Sequence, residues 1–178
     1  MKAPEALDTR RLHLRRLQAS DVEAVFRRYA GDPSVTRYLA WPTHESVADT
    51  RAFLAFSDAE WDRWPAAAYL ILRRTDGVLL GSTGLSFETA DHAITGYVLA
   101  RDAWGQGYAT EALAAMVDLA RTLGVRRLSA GCHPEHVASQ RVLEKCCFVR
   151  EDLQHRAAGF PNLGAGESQD LLLYAQIP

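Results

Sequence analysis

The segment RDAWGQGYATEAL (101–113) places two glycines between a strand pattern and a helix pattern. The strand pattern is AITGYVLA (93–100), and apolar residues with helical spacing then run from Tyr108 to about Leu123. Glycine lets the backbone approach a partner closely, and a helix start carries unpaired N–H groups and a positive dipole end. The segment is therefore either a tight turn or an anion site, most often for phosphate. Taken alone, it favours the turn, because Gly-x-Gly before a helix is common.

Alternating and helical segments follow one another along the chain, and their order predicts the fold class. Residues 155–169, which are rich in Gly, Ala and Asn, are predicted to form a loop. The order predicts one α/β (α+β) domain, residues 1–178, built around a single sheet that includes an antiparallel meander. The predicted strands are 12–17, 66–74, 78–88, 93–100, 126–133, 148–154 and 170–177; the predicted helices are 22–29, 46–61, 108–123 and 137–145.

Length, charge and cysteine content exclude several classes of function. A chain of 178 residues without repeats or linkers suits one domain with a real core. Twenty basic and 22 acidic side chains nearly cancel, which argues against general nucleic-acid binding and against an anionic-membrane anchor. No apolar stretch approaches the ~20 residues of a membrane span, and the N-terminus lacks a secretory signal. Three cysteines without CxxC or Cys/His spacing predict free thiols, a reducing cytoplasm and no metal.

Several segments together resemble the GNAT superfamily of acyl-CoA N-acyltransferases, in the branch of Rim-type ribosomal-protein N-terminal acetyltransferases. The resemblance implies the GNAT fold, a mixed, mostly antiparallel central sheet that is splayed at the acyl-CoA site and flanked by helices. On the family's glycine pattern, Gln/Arg-x-x-Gly-x-Gly/Ala, the corresponding residues are Trp104, Gly107 and Ala109. The matching segments are TRRLHLRRLQASD, DPSVTRYLAWPTHES, LLGSTGLSF, GYVLARDAWGQGYATEAL, ASQRVLEKCCFVRED and DLLLYA.

The resemblance implies that acetyl-CoA is the cosubstrate, and it reverses the preference for an empty turn. The backbones of Tyr97, Val98 and Leu99 would pair with the pantetheine amides in the manner of a β-ladder. The pyrophosphate of coenzyme A would be held by backbone amides of the loop and the helix start, namely Gly105, Gln106, Gly107, Tyr108, Ala109 and Thr110.

A second segment that contacts coenzyme A usually reads Asn-x-x-Ser in this family, and here it begins at His136 and ends at Ser139. The His136 imidazole either keeps a hydrogen bond near the pantetheine or is only a helix-capping or surface residue. Ser139 keeps the family pattern and is expected to protonate or hydrogen-bond the thiolate sulfur. Its alternative is a helix N-terminal cap.

The acid–base residues usual in many GNAT enzymes are missing here. The place of the general-acid tyrosine is taken by Leu143, and that of the general-base glutamate by Gly131. The candidate bases are therefore Glu88, at the end of a predicted strand, and His133, whose residue type titrates near neutral pH, with Glu135 and Asp91 behind them. Any of these residues could act through water. The alternative for each is a solvated loop residue.

Two cysteines lie in segments that the resemblance makes relevant. Cys132 could carry an acetyl group covalently, since thiolates attack thioesters, or it could be a small buried apolar residue. Cys147 stands where the family usually has glycine, which predicts a locally altered turn.

Four aromatic residues, Tyr38, Trp41, Trp61 and Trp64, lie in the region that shapes the acceptor site in this branch. They could line a peptide groove or belong to the core, and the sequence leaves both options open.

The sequence thus predicts an acetyl-CoA-dependent N-acetyltransferase that acts by direct attack in a ternary complex. The expected acceptor is a primary amine, first of all the α-amine at a protein or peptide N-terminus. The alternatives are a small-molecule amine acceptor, or an acyl-CoA-binding sensor of the same fold without catalysis. A cytoplasmic monomer or homodimer that binds neither nucleic acid nor membrane is expected.

Overall fold

A computed structural model describes residues 1–164 and 168–178 of the chain. The eight strands of the described part form one sheet in the order β1-β2-β3-β4-β5-β6-β8-β7. Neighbouring strands are antiparallel except β5 and β6, which are parallel. The strands are β1 (Ala6–Asp8), β2 (Leu12–Arg16), β3 (Ala68–Arg73), β4 (Leu79–Phe87), β5 (His92–Leu99), β6 (Arg127–Cys132), β7 (Val149–Gly159) and β8 (Ser168–Gln176).

Among the described residues, five α-helical segments flank the sheet: α1 (Val22–Val25), α2 (Pro33–Thr36), α3 (Val47–Arg63), α4 (Tyr108–Thr122) and α5 (Val137–Lys145). The predicted helices at 46–61, 108–123 and 137–145 are confirmed to within two residues. The predicted helix at 22–29 begins as α1 and widens into a π-helical turn over Phe26–Ala30. Ser46 and Asp49 form a reciprocal capping box at the start of α3.

The two faces of the sheet bury separate apolar clusters, because successive strand residues point to opposite faces. Ile71 of β3 belongs to the cluster that includes Met116 of α4. The preceding residue, Leu70, belongs to the cluster that includes Val25 of α1 and Leu54 of α3. The helices that follow β5 and β6 therefore cover one face, and the N-terminal helices cover the other.

The predicted loop at 155–169 is wrong over its first residues, since β7 continues to Gly159. The β7–β8 register shifts between Gln154 and Ala158, and there Arg156 adopts φ +51°. The Arg156 N–H donates to the Asp170 carboxylate at 3.0 Å, which ties the bulge to β8. Residues 165–167 of that prediction lie outside the described residues.

The end of α5 keeps the turn that glycine favours, although the residue there is cysteine. Cys147 has φ +63°, its N–H donates to the Glu144 carbonyl, and the Phe148 N–H donates to the Leu143 carbonyl, both at 3.0 Å. This is a Schellman motif, whose left-handed position is usually glycine. The prediction of an altered turn is therefore wrong. Cysteine in place of glycine at this position costs backbone strain.

We expect Cys147→Gly to raise the free energy of unfolding by about 1 kcal/mol, because it removes a Cβ from a left-handed position. Urea denaturation measures the change. Cys147→Ala is the matched control, since it removes the thiol but keeps the Cβ, and it should leave stability nearly unchanged. An equal gain from both variants would show that the thiol, and not φ, is the cause.

Candidate active site

The parallel strands β5 and β6 separate soon after they meet. They pair at three positions only, from His92 opposite Arg127 to Ile94 opposite Ser129. Beyond Ile94, β5 stays paired with β4, and β6 stays paired with β8. The sheet therefore contains a fork that begins after Ile94 and Ser129, at the place where the sequence predicted a splay.

The glycine loop stands at the open end of this fork, between the end of β5 and the start of α4. Gly105 has φ +73° and Gly107 has φ +79°, and both are exposed together with Gln106. In the described part of the chain, a Cβ built on Gly105 would meet no atom within 4 Å, so backbone conformation rather than crowding requires glycine. The N-terminus of α4 begins at Tyr108 and presents free N–H groups, an arrangement that binds anions.

Arg11 at the start of β2 braces the glycine loop. Its Nη1 donates to the Gln106 carbonyl at 2.9 Å, and its Nε donates to Glu111 of α4 at 2.6 Å. Burial would raise the pKa of Glu111, but hydrogen bonds from Thr9 and Arg11 outweigh burial and hold that pKa below its usual value. The carboxylate thus stays ionised and fixes the first turn of α4 to β2. The sequence analysis missed this brace.

The three strand residues predicted to face pantetheine differ in their surroundings. Tyr97 and Val98 line the cavity described below. The Leu99 carbonyl accepts a hydrogen bond from Trp104 Nε1 at 2.8 Å, so this carbonyl already has a partner within the protein. Leu99 therefore helps to hold the glycine loop against the strand end, and Trp104 gains a structural role.

Ser139 and Tyr97 meet at the fork. The Ser139 Oγ lies 3.0 Å from the Tyr97 hydroxyl, and both residues line the cavity. Burial raises the pKa of the Tyr97 phenol well above its ordinary value, although the hydrogen bond with Ser139 opposes the shift. His136 occupies the N-cap of α5, so the alternative of Ser139 as the helix cap is not supported. The sequence predicted a role for the Tyr97 backbone only, and no role for its side chain.

His136 is half-buried on the cavity wall, and its ring stacks on Tyr38 at a centroid distance of 4.9 Å. Burial, and then the nearby charge of His133, lowers the pKa of His136, so the ring is neutral at pH 7. In the described structure its side chain makes no helix-capping hydrogen bond. A neutral imidazole offers one donor and one acceptor; a contact with pantetheine stays a prediction.

His133 lies in an aromatic stack beside the cavity. Its ring packs on Tyr38 at 5.2 Å and meets the edge of Phe160 at 5.0 Å. Its Nδ1 accepts a hydrogen bond from the Glu135 N–H at 3.1 Å. A neutral ring with Nδ1 engaged carries its proton on Nε2 and has no free lone pair. This geometry does not favour His133 as the general base.

Glu88, the other candidate base, lies at the closed end of the fork. Its Oε2 lies 2.9 Å from Nδ1 of His92, and about half of its side chain is exposed. It is outside the set of described residues that line the cavity. Direct contact between Glu88 and an acceptor is therefore not supported by the structure.

Cys132 is buried at the end of β6 and lines the cavity. Burial raises the pKa of its thiol to about 11. The thiol is therefore protonated at neutral pH and is a poor nucleophile. The geometry favours the alternative of a small buried residue over a covalent carrier.

A cavity of about 930 Å³ passes through the fork from one face of the sheet to the other. Tyr97, Cys132 and Leu143 line it on the α5 side, whereas Phe56 and Ser129 line it on the side of the N-terminal helices. Its walls are mainly apolar. The fork thus connects the glycine loop's side of the molecule with a second compartment.

The four aromatic residues of the N-terminal region separate into two pairs. Tyr38 and Trp41 line the cavity. Trp61 is 2% exposed within the core, and Trp64 stacks on Phe87 at 5.6 Å. The first pair thus fits the prediction of a groove, and the second pair belongs to the core.

Asn162 fixes the cavity wall that carries Trp41. Its Nδ2 donates to the carbonyls of Thr36 at 2.7 Å and Trp41 at 2.9 Å, and its Oδ1 accepts from the Thr43 N–H at 2.8 Å. These bonds join the segment after α2 to the connection between β7 and β8. Nothing in the local sequence around Asn162 indicated this role.

Within residues 1–164 and 168–178, no group of three or more His, Cys, Asp or Glu side chains is arranged to hold a metal ion. None of the helices in these ranges has both the length and the apolar character needed to cross a membrane.

Comparisons with known proteins agree with this architecture. A family model described as an acetyltransferase (GNAT) domain matches residues 11–149. The uncharacterized N-acetyltransferase p20 of Bacillus licheniformis is 31% identical over 153 residues, which cover 84% of this chain and 85% of p20.

Two solved structures of similar length carry more specific descriptions. RimL, a ribosomal L7/L12 alpha-N-protein acetyltransferase solved in complex with coenzyme A, has a TM-score of 0.84 at 25% identity, covering 97% of this chain and 98% of RimL. In that complex coenzyme A forms a disulfide with a cysteine of RimL. An acetyl transferase from Salmonella typhimurium that modifies the N-terminal serine of L7/L12 has a TM-score of 0.83 at 25% identity, covering 96% of both chains.

We expect Gly107→Val to raise the Kd for coenzyme A at least about tenfold, or about 1.4 kcal/mol, because a branched side chain at φ +79° distorts the loop. Isothermal titration calorimetry measures the affinity, and thermal unfolding confirms the fold. Gly124→Val is the matched control, since Gly124 has φ +78° at the other end of α4. Equal losses of affinity in the two variants would refute the assignment of the loop.

Proposed function

The chain belongs to the GNAT acetyltransferase family and is an N-acetyltransferase; we propose that its acceptor is the α-amine at the start of a polypeptide. The observation that carries the proposal is the cavity that passes through the fork. It joins a side with an anion-binding helix start to a side with exposed aromatic residues. Two substrates can therefore enter from opposite faces and meet between β5 and β6, as direct transfer in a ternary complex requires.

The residues at the open end of the fork fit acetyl-CoA. The N–H groups of the glycine loop and of the first turn of α4 would hold its diphosphate. The free edge of Tyr97 and Val98 would pair with its pantetheine amides, as a neighbouring strand would. The cosubstrate supplies a thioester, whose acyl carbon is electrophilic and whose leaving group is a thiolate.

In this proposal, Ser139 protonates that thiolate with the help of Tyr97. The Ser139 hydroxyl lies at the start of α5 on the cavity wall, and the Tyr97 phenol is within hydrogen-bond distance of it. Burial keeps Tyr97 protonated, and its hydroxyl lies 3.1 Å from the Ser139 carbonyl and 3.0 Å from the Ser139 Oγ. The phenol can therefore donate to either oxygen of Ser139 while the Ser139 hydroxyl donates to the sulfur. The protonated thiol of Cys132 argues against a covalent route.

The far compartment suits an amine on a flexible chain. Phe56 is 60% exposed, and together with Tyr38 and Trp41 it offers apolar walls to an entering peptide. The Glu60 carboxylate is part of the same lining and would attract a cationic amine as it enters. An α-amine has an ordinary pKa of about 7.7–8.0, against about 10.4 for lysine, so a useful fraction is neutral near pH 7. The N-terminal activities named for RimL and the Salmonella enzyme support the same acceptor class.

We expect Ser139→Ala to lower kcat about 10²-fold, the lower end of what an acid or base contributes, while the KM for acetyl-CoA changes little. Steady-state kinetics with saturating acceptor separate the two constants. Cys132→Ala removes a neighbouring polar atom from the same wall and should keep most of the activity. A higher KM with unchanged kcat in Ser139→Ala would show that Ser139 only binds the cosubstrate.

The acceptor class is tested with peptides that begin with serine or alanine, each with a free or a blocked N-terminus, beside a polyamine and an aminoglycoside. We expect release of coenzyme A with the free N-termini only, because the α-amine is the neutral nucleophile near pH 7. Efficient turnover of a small amine or of a blocked lysine peptide would reject the α-amine. Binding of coenzyme A without turnover of any amine would indicate the non-catalytic sensor.

A further inference from the structure

A carboxylate, an imidazole and a serine hydroxyl form a chain that reaches the cavity at the fork. Nδ1 of His92 lies 2.9 Å from the Glu88 carboxylate, and Nε2 of the same ring lies 2.9 Å from the Ser129 Oγ. Ser129 is 5% exposed and lines the cavity. Glu88 and His92 stand four positions apart at the turn between β4 and β5, whereas Ser129 lies within β6, so no short sequence motif joins all three.

The order of these groups determines the direction in which protons can move. With Glu88 ionised, Nδ1 of His92 carries its proton toward the carboxylate, and Nε2 presents a lone pair to the Ser129 hydroxyl. The serine oxygen then has lone pairs of its own for a donor in the cavity. This is the arrangement in which a carboxylate orients an imidazole that takes a proton from a hydroxyl.

The charged neighbours of His92 do not disrupt the chain. Asp91 precedes it and accepts a hydrogen bond from Thr89, which lowers the pKa of Asp91 and keeps it ionised. Arg127, the register partner of His92 on β6, forms an ion pair with Glu151.

We propose that Ser129 accepts the proton of the acceptor amine and passes its own proton to His92, which Glu88 orients. The proposal rests on the proposed function and assigns its general base. When the amine nitrogen bonds to the acyl carbon, the C–S bond breaks and the thiolate takes the Ser139 proton, which solvent then replaces. The proton lost by nitrogen goes to the Ser129 oxygen while the hydroxyl proton goes to His92, which later releases it to solvent. Ser129 is the catalytic residue, and His92 and Glu88 are positioning residues that act through it.

The test compares kcat and KM in matched variants, with acetyl-CoA and a hexapeptide that has a free N-terminal serine. We expect Ser129→Val to lower kcat about 10²-fold. Ser129→Thr has the shape of the valine variant but keeps a hydroxyl, so it should retain most of the wild-type kcat. His92→Ala should lose a similar factor in kcat with little change in KM, and added imidazole should restore part of the rate. His13→Ala is the control, because His13 pairs with Asp8 on the distant strands β1 and β2.

Chemical rescue separates a relay from a structural role, since free imidazole can accept a proton but cannot repair a misplaced strand. Equal kcat in wild type and His92→Ala, or equal loss in the Thr and Val variants of Ser129, would overturn the proposal. An acetyl group found on Ser129 by mass spectrometry would also overturn it, because the serine would then be a nucleophile.

An assay without an amine keeps this test independent of the acceptor. A water molecule in the position of the amine would lose its proton to Ser129 and His92 in the same way. The slow rate of acetyl-CoA hydrolysis measured for the wild type should therefore be lower in His92→Ala. Hydrolysis that depends on His92 supports the relay even if the peptide is not acetylated. Failure to acetylate the peptide would then count against the proposed acceptor and not against the relay. Absence of any dependence on His92 in both assays would reject the relay.

Discussion

The early separation of β5 from β6 is the constraint on which the site depends. Parallel neighbours require a crossover, and here the crossover is the glycine loop followed by α4. Because β5 runs toward the open end of the fork, the loop and the N-terminus of α4 must lie at that end as well. The position of the helix start, the free strand edge and the cavity are thus consequences of one topological feature.

Keeping the fork open requires support from the outer partners of both strands. β4 pairs with β5 as far as Leu99, and β8 pairs with β6 as far as Cys132, so neither strand can bend to close the gap. Leu113 and Met116 of α4 are fully buried against the sheet, and Arg11 ties the loop to β2. The unpaired backbone groups of the fork must then be hydrogen-bonded by water or by a ligand.

The features that follow from local sequence could be predicted, and those that depend on register could not. The amphipathic pattern of α4 follows from neighbouring residues, and glycine permits the positive φ of Gly107, so a turn before a helix could be predicted here. The binding of coenzyme A by this loop stays a prediction. The bond between Arg11 and Glu111 joins residues 100 positions apart, and it became visible only when β2 and α4 were placed side by side. The continuation of β7 through its bulge was missed for the same reason, because the hydrogen bond from Arg156 to Asp170 depends on pairing with β8.

Successive residues of a strand point to opposite faces of the sheet, so the proton donor and the proton acceptor of the proposed mechanism lie on different faces. Tyr97 and Cys132 point toward α5, whereas His92 and Ser129 occupy positions of opposite parity and point to the other face. Ser129 is also the last residue of β6 that pairs with β5, so it lies where the fork opens. In the proposed mechanism the amine therefore loses its proton on one face while the thiolate gains one on the other. The proton taken from the amine and the proton given to the thiolate can therefore move through different groups.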